Sequence, residues 1–164
     1  MGRYTTVTGS LDKFERGQLT IIDDDPKHYC YSNVFEVASK SKPYDKIAVA
    51  RNLEYVIEAI RAEGTSDWLA CNHDEFVVVM DGEVTVSFAE PGDAAPPQGK
   101  DGTQRLSGPP KGRKMGRIHL KRGHQALLPK GAAYQFSAAR PSVMIQQTIL
   151  GGLTQQKWAE ICTS

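Results

Sequence analysis

The longest uninterrupted apolar stretch of the central chain is Phe76 to Met80. A polar series, Asp67-Trp68-Leu69-Ala70-Cys71-Asn72-His73-Asp74-Glu75, leads into it. Asp81-Gly82 follows, a dipeptide that favours a two-residue hairpin turn. Beyond the turn, Glu83-Val84-Thr85-Val86-Ser87-Phe88 alternates apolar and polar with period two. The pattern predicts an antiparallel hairpin with one buried strand, and it places Trp68, Cys71, His73 and Glu75 at or near that strand. There, side chains can point into a pocket.

Upstream, His28 to Ala38 reads as a strand through Tyr29, Tyr31, Val34, Phe35 and Val37. Ile47 to Ala50 is a short apolar run. Leu53, Val56, Ile57 and Ile60 stand at helical spacing, behind Asn52 as N-cap and ahead of Gly64 as the C′ residue. They predict an amphipathic helix over residues 53–63 that packs on the β-core. Downstream, Glu90 to Gly116 is dense in Gly and Pro and is expected to form a surface loop, either as a tolerated insertion or as a partner-binding arm or lid. Structure resumes at Arg117 to Leu120, turns at Leu128-Pro129-Lys130-Gly131, returns through Tyr134-Gln135-Phe136 and ends in a strand from Val143 to Leu150. Thr154 can cap a short C-terminal helix through Trp158 and Ile161. Many short strands separated by turns, with two helices, predict an all-β sandwich or barrel in a single domain spanning 1–164.

Composition narrows the function classes. Lys and Arg number 20 against 19 Asp and Glu, a net charge of +1. Apart from Lys111 to Lys114 there is no basic block, so neither a nucleic acid nor an anionic membrane surface is an expected partner. No apolar run reaches membrane-spanning length, and Met1 to Asp12 lacks a signal-peptide pattern. The three cysteines, Cys30, Cys71 and Cys162, form no CxxC pair. Reduced thiols in the cytoplasm are the simplest reading.

Among the candidate chemical groups, His73 and Glu75 are two residues apart and share one face of a strand. Cys71 would join them, and His124 could complete a Cys/His/Glu metal site. The plainer alternative makes Glu75 and His73 a polar pair within the barrel and Cys71 a small buried hydrophobe. His119, in an apolar strand, reads as a structural histidine. Trp68 and Tyr134 either fill the core or offer a surface on which an aromatic substrate stacks. A buried Tyr134 hydroxyl would need a partner.

The two hairpins resemble the paired motifs of the cupin superfamily, small jelly-roll β-barrels. The first motif reads G-x5-H-x-H-x3or4-E-x6-G. Glu75 and Gly82 supply its E-x6-G part, with Gly64 off register by a residue or two. The second reads G-x5-P-x-G-x2-H-x3-N, and Gly123, Pro129 and Gly131 match it. The metal ligands of the motifs are mostly replaced. The histidine positions of the first fall on Leu69 and Cys71 or on Trp68 and Ala70, the histidine of the second becomes Tyr134, and its asparagine becomes Ala138. Of the usual ligands only Glu75 remains.

A longer resemblance, from about residue 28 to the end, is to the small subunit of two-component hydroquinone 1,2-dioxygenases. It is carried by Tyr31-Ser32-Asn33, Ala48 to Tyr55, Glu58 to Ser66, His73 to Phe76, Gly123 to Pro129 and Lys157 to Cys162. The resemblance implies a cupin jelly-roll barrel with one amphipathic helix before it and a short C-terminal helix. It implies ring opening of hydroquinone by molecular oxygen to 4-hydroxymuconic semialdehyde, with Fe(II) in a larger partner cupin subunit, none in this chain, and an α2β2 assembly. Trp68 and Tyr134 would then line the substrate pocket. Two alternatives stay open: a self-sufficient metallocupin using Cys71, His73, Glu75 and His124, and a metal-free cupin that binds a small molecule.

Overall fold

The computed structural model describes residues 33–51, 53–95, 99 and 101–157. A short helix, α1 (Val34–Lys40), leads into ten strands: β1 (Lys46–Arg51), β2 (Tyr55–Thr65), β3 (Leu69–Ala70), β4 (Glu75–Asp81), β5 (Glu83–Ala89), β6 (Gln104–Arg105), β7 (Lys114–Lys121), β8 (Gln125–Leu128), β9 (Ala133–Ile149) and β10 (Thr154–Gln155).

All ten belong to one curled sheet organised on β9, whose seventeen residues serve four neighbours. Its first residues pair with β3 and β5, and its later ones with β2 and β4, so the sheet wraps around its own concave side. The Asp81-Gly82 turn forms as the sequence indicates. Gly82 has φ +78°, and a Cβ there would stand 2.2 Å from Ser142 Oγ, so both the backbone and the close approach of β9 require glycine. Alternating residues Val77 and Val79, Val84 and Val86, Phe136, Ala138 and Met144 fill the concave side together with Ile60, Leu120 and Leu128.

Two elements differ from the sequence reading. Residues 53–63 do not form a helix. Tyr55 to Thr65 is a strand paired with β9 from Tyr55–Ile149 to Thr65–Ser137. Val56, Glu58, Ile60 and Ala62 alternate inward, a period-two pattern hidden by apolar residues that also fall at helical spacing. The helix before the barrel is instead α1, which overlaps the end of the segment expected as a strand and the start of the loop after it. Asn33 caps it, its Oδ1 accepting from the Phe35 amide, and Glu36 stands in its first turn. Asn33 and Glu36 are the capping-box pattern that the aromatic and β-branched residues around them obscured.

Thr154 lies in β10, parallel to β1, rather than at a helix start. Residues 158–164 of the expected C-terminal helix, like Asn52, His28, Cys30 and Cys162, lie outside the described residues. The 90–116 interruption is not all surface: Gly102, Thr103 and Leu106 are buried, and β6 pairs with β3. No described helix is long and apolar enough to cross a membrane.

Candidate functional site

The concave side of the sheet is not wholly apolar. One end of it holds a buried polar network centred on Glu75, the first residue of β4, which is 1 % exposed. Three hydroxyls donate to its carboxylate. Tyr134 reaches Oε2 at 2.5 Å, and Thr103 and Thr148 both reach Oε1 at 2.6 Å. They arrive from three places: Tyr134 and Thr148 from opposite ends of β9, and Thr103 from the strap of chain ahead of β6. Together they offset the cost of burying a carboxylate.

The direction of these bonds is fixed from the far side. Lys46 Nζ, which can only donate, reaches Gln146 Oε1 at 2.9 Å and Glu58 Oε2 at 3.1 Å. The Gln146 amide is thereby oriented with Nε2 toward Tyr134 Oη (3.1 Å) and Thr103 Oγ1 (3.3 Å). Both hydroxyls accept from the amide and spend their own protons on Glu75. Thr154 Oγ1 closes the other end by donating to Glu58 Oε1 at 2.7 Å. A single chain of hydrogen bonds thus runs from β10 and β1 through the barrel to Glu75. Burial, then the negative charge of Glu75, then the hydrogen bond to it, push the Tyr134 phenol well above its ordinary range.

Cys71 and His73 stand beside this centre on the segment entering β4. The Ile149 amide donates to His73 Nε2 at 3.1 Å, so in the neutral ring the proton sits on Nδ1, which faces Cys71 Sγ at 2.9 Å. The thiol donates to the Gly102 carbonyl at 3.2 Å. Burial, and next the charge of Glu75, push the Cys71 thiol up to about 12, so without a cation it stays protonated.

The ligand atoms of Cys71, His73 and Glu75 all lie within 4.8 Å of one another. Glu75 has accepted two bonds at Oε1 and one at Oε2, which leaves a lone pair on Oε2. A sulfur, an imidazole nitrogen and a carboxylate oxygen suit a borderline or soft divalent ion.

His124 does not join this group. It is exposed in the β7–β8 turn, where Nδ1 accepts from the Lys121 amide at 3.1 Å. His119 is likewise on the surface, between Thr85 and Glu83. Tyr134 is 1 % exposed and edge-packed on Phe136, with its hydroxyl committed to Glu75. Trp68 is half-buried outside the main core, against Ala70, Leu106 and Ala133. Thr103, Gln146, Thr148, Lys46 and Glu58 escaped sequence reasoning. Gln146 and Thr148 were discernible only as polar interruptions on the face of the last strand opposite Val143, Ile145 and Ile149.

Comparison with known structures places this site in context. At 52% identity, the chain is similar to a structure of hydroquinone 1,2-dioxygenase PnpCD in complex with Cd2+ and 4-hydroxybenzonitrile (TM-score 0.84, covering 99% of this chain and 98% of that one). It is 50% identical to the hydroquinone 1,2-dioxygenase from Sphingomonas sp. TTNP3 with 4-hydroxybenzoate bound (TM-score 0.86, 99% of each chain). The chain belongs to the hydroquinone 1,2-dioxygenase family of the cupin superfamily.

A longer chain from PnpCD in complex with Fe3+ shares the fold over 36% of its length (TM-score 0.59, 10% identity, 81% of this chain). A cupin-2 domain protein from Shewanella frigidimarina shares it as well (TM-score 0.50, 15% identity, 71% of this chain and 90% of that one). Neither a protein-family model nor a curated protein matches the chain. For the cofactor, the expectation of iron in a partner and none in this chain is overturned. Cys71, His73 and Glu75 converge as a group able to hold a metal, and the family member at 52% identity is a complex with Cd2+.

Proposed function

We propose that this chain is the smaller component of a ring-cleaving hydroquinone 1,2-dioxygenase and works with a larger cupin chain in an α2β2 enzyme of the cytoplasm. The reading is carried by end-to-end likeness at 52% and 50% identity to hydroquinone 1,2-dioxygenase chains of nearly the same length. A chain of the same enzyme that is much longer, and holds a fold like this one in 36% of its length, supports two unequal components.

In the reaction, one hydroquinone and one O2 give 4-hydroxymuconic semialdehyde, with both oxygen atoms retained in the product. The phenols in the related structures, 4-hydroxybenzonitrile and 4-hydroxybenzoate, share the ring and the para substitution of such a substrate. Bound iron supplies oxygen activation to this kind of ring cleavage. Within this chain the residues that would hold a metal are Cys71, His73 and Glu75. The barrel interior is filled by Tyr134, Phe136, Leu128, Met144 and Gln146, all nearly without exposure. The contribution to a substrate pocket therefore comes from the rim. Trp68, half-buried at β3, is the stacking surface we assign to it.

The test is reconstitution. This chain and the larger cupin chain of the same source are prepared separately and together, and oxygen uptake and semialdehyde formation with hydroquinone are followed. Turnover that requires both chains is expected. Equal turnover by either chain alone would sink the proposal.

A further inference from the structure

We infer that Cys71, His73 and Glu75 form a structural site for a thiophilic divalent cation of the zinc and cadmium class, distinct in role from ring cleavage. The three donors come from alternate residues of one segment and already converge within 4.8 Å. A thiolate and a carboxylate together neutralise a dication, so the loaded site carries no net charge into a buried place. The carboxylate half of that balance is in place beforehand, because three hydroxyls hold Glu75 as an acceptor. The thiol releases its proton to solvent as sulfur takes the cation. The His73 ring moves its proton from Nδ1 to Nε2, toward Thr148 Oγ1 at 3.1 Å and in place of the bond from the Ile149 amide, which frees Nδ1 for the ion. His73 is partly exposed and gives the ion its way in, whereas Cys71 and Glu75 are closed off. The donor set, with sulfur among it, disfavours Mg2+ and Ca2+, which prefer oxygen alone.

A structural role follows from what surrounds the ligands. On the barrel side, Tyr134, Thr103 and Gln146 leave no opening onto Glu75 for a substrate. The three protein ligands leave a fourth position for water, and it opens on the partly exposed side of His73, away from the filled barrel. The segments around the three ligands are otherwise far apart in the chain: the entrance to β4, the Gly102–Thr103 strap, and the Thr148–Ile149 end of β9. A cation here would fix the first of these in one conformation, and the Thr103 and Thr148 hydroxyls on Glu75 would hold the other two against it. The inference does not depend on the ring-cleavage reading, since it concerns binding by this chain and not turnover.

The test uses the full chain carrying Cys30→Ser and Cys162→Ser, so that Cys71 is its remaining thiol. Cd2+ is titrated while the ultraviolet thiolate-to-cadmium absorption and the melting temperature are followed, with excess Mg2+ present. One equivalent bound, with a raised melting temperature, is expected. Cys71→Ser should abolish the absorption, and His73→Gln and Glu75→Gln should each weaken binding by roughly tenfold or more. Cys71→Ser preserves a donor to the Gly102 carbonyl, and His73→Gln alters a partly exposed position, so both are expected to fold. Absence of uptake by the parent chain would overturn the inference. So would uptake indifferent to both His73→Gln and Glu75→Gln, which would mark a lone thiol reacting by itself.

Discussion

The Tyr134 hydroxyl donates to the Glu75 carboxylate at 2.5 Å, joining residues 59 positions apart in the sequence inside the curled sheet. In the match to the second cupin motif, Tyr134 takes the histidine position, and its phenol proton goes to the one carboxylate the motifs retain. Tyr134→Phe removes that donor and leaves a buried anion with two hydroxyl partners in place of three. It also takes an acceptor away from Gln146 Nε2. A loss of about 1.5–3 kcal/mol is expected, as for hydrogen bonds to charged groups, read from urea denaturation midpoints. A loss indistinguishable from zero would mean that the Tyr134–Glu75 bond does not hold in solution.

Lys46 and Glu58 form an ion pair at 3.1 Å, with side chains 4% and 0% exposed. Removing only the lysine strands a buried carboxylate. Lys46→Met is expected to destabilise by about 3–5 kcal/mol. The double substitution Lys46→Met with Glu58→Met should recover much of that loss, since no charge is then left unpaired. Comparing the three denaturation curves checks the coupling.

Alkaline pH acts at a second tyrosine, away from the site. Tyr44 donates to the Gly64 carbonyl at 2.7 Å. Burial pushes its phenol up from 10.0 to about 12, the Ala138 backbone opposes this, and the charge of Glu63 adds to it. The folded state thus keeps a proton that the unfolded state releases first. The stabilising effect is complete below pH 10 and is lost as pH rises from 10 to about 12. Denaturation midpoints should fall through that window less steeply in Tyr44→Phe than in the parent chain. Parallel profiles would count against a raised Tyr44.

In the assembled enzyme, Trp68→Ala should raise KM for hydroquinone by roughly threefold to tenfold, the range expected for loss of an aromatic contact. Trp68→Phe should restore most of it. Steady-state kinetics with the larger chain present provide the measurement. Unchanged kinetics would remove Trp68 from the substrate pocket.

The hairpin at Asp81-Gly82 was legible in the sequence because its cause is local: a turn dipeptide between two strands of clear pattern. The β2 strand was not, because its alternation overlaps a helical one and is decided by pairing with β9, from Tyr55–Ile149 to Thr65–Ser137, far along the chain. Likewise Glu75 and Tyr134 could each be picked out, but not their bond. Thr103 was hidden more deeply still. Nothing in a Gly- and Pro-rich stretch indicates that one threonine turns inward to a carboxylate 28 residues away. The Cys71–His73–Glu75 group was legible because its members alternate within one short segment, while the network behind it is assembled by tertiary pairing alone.

The position of β9 also governs how the protein comes to fold. Four neighbours depend on one strand that follows all of them in chain order, at Ala133 to Ile149. During synthesis, β2 to β5 emerge long before the segment that pairs them, with open edges and an unfilled apolar side. Such intermediates are prone to misassociate. The contacts that close the barrel span long loops and form slowly. A chain cut short before residue 133 would therefore lack the hub of its sheet, whatever local hairpins it retained.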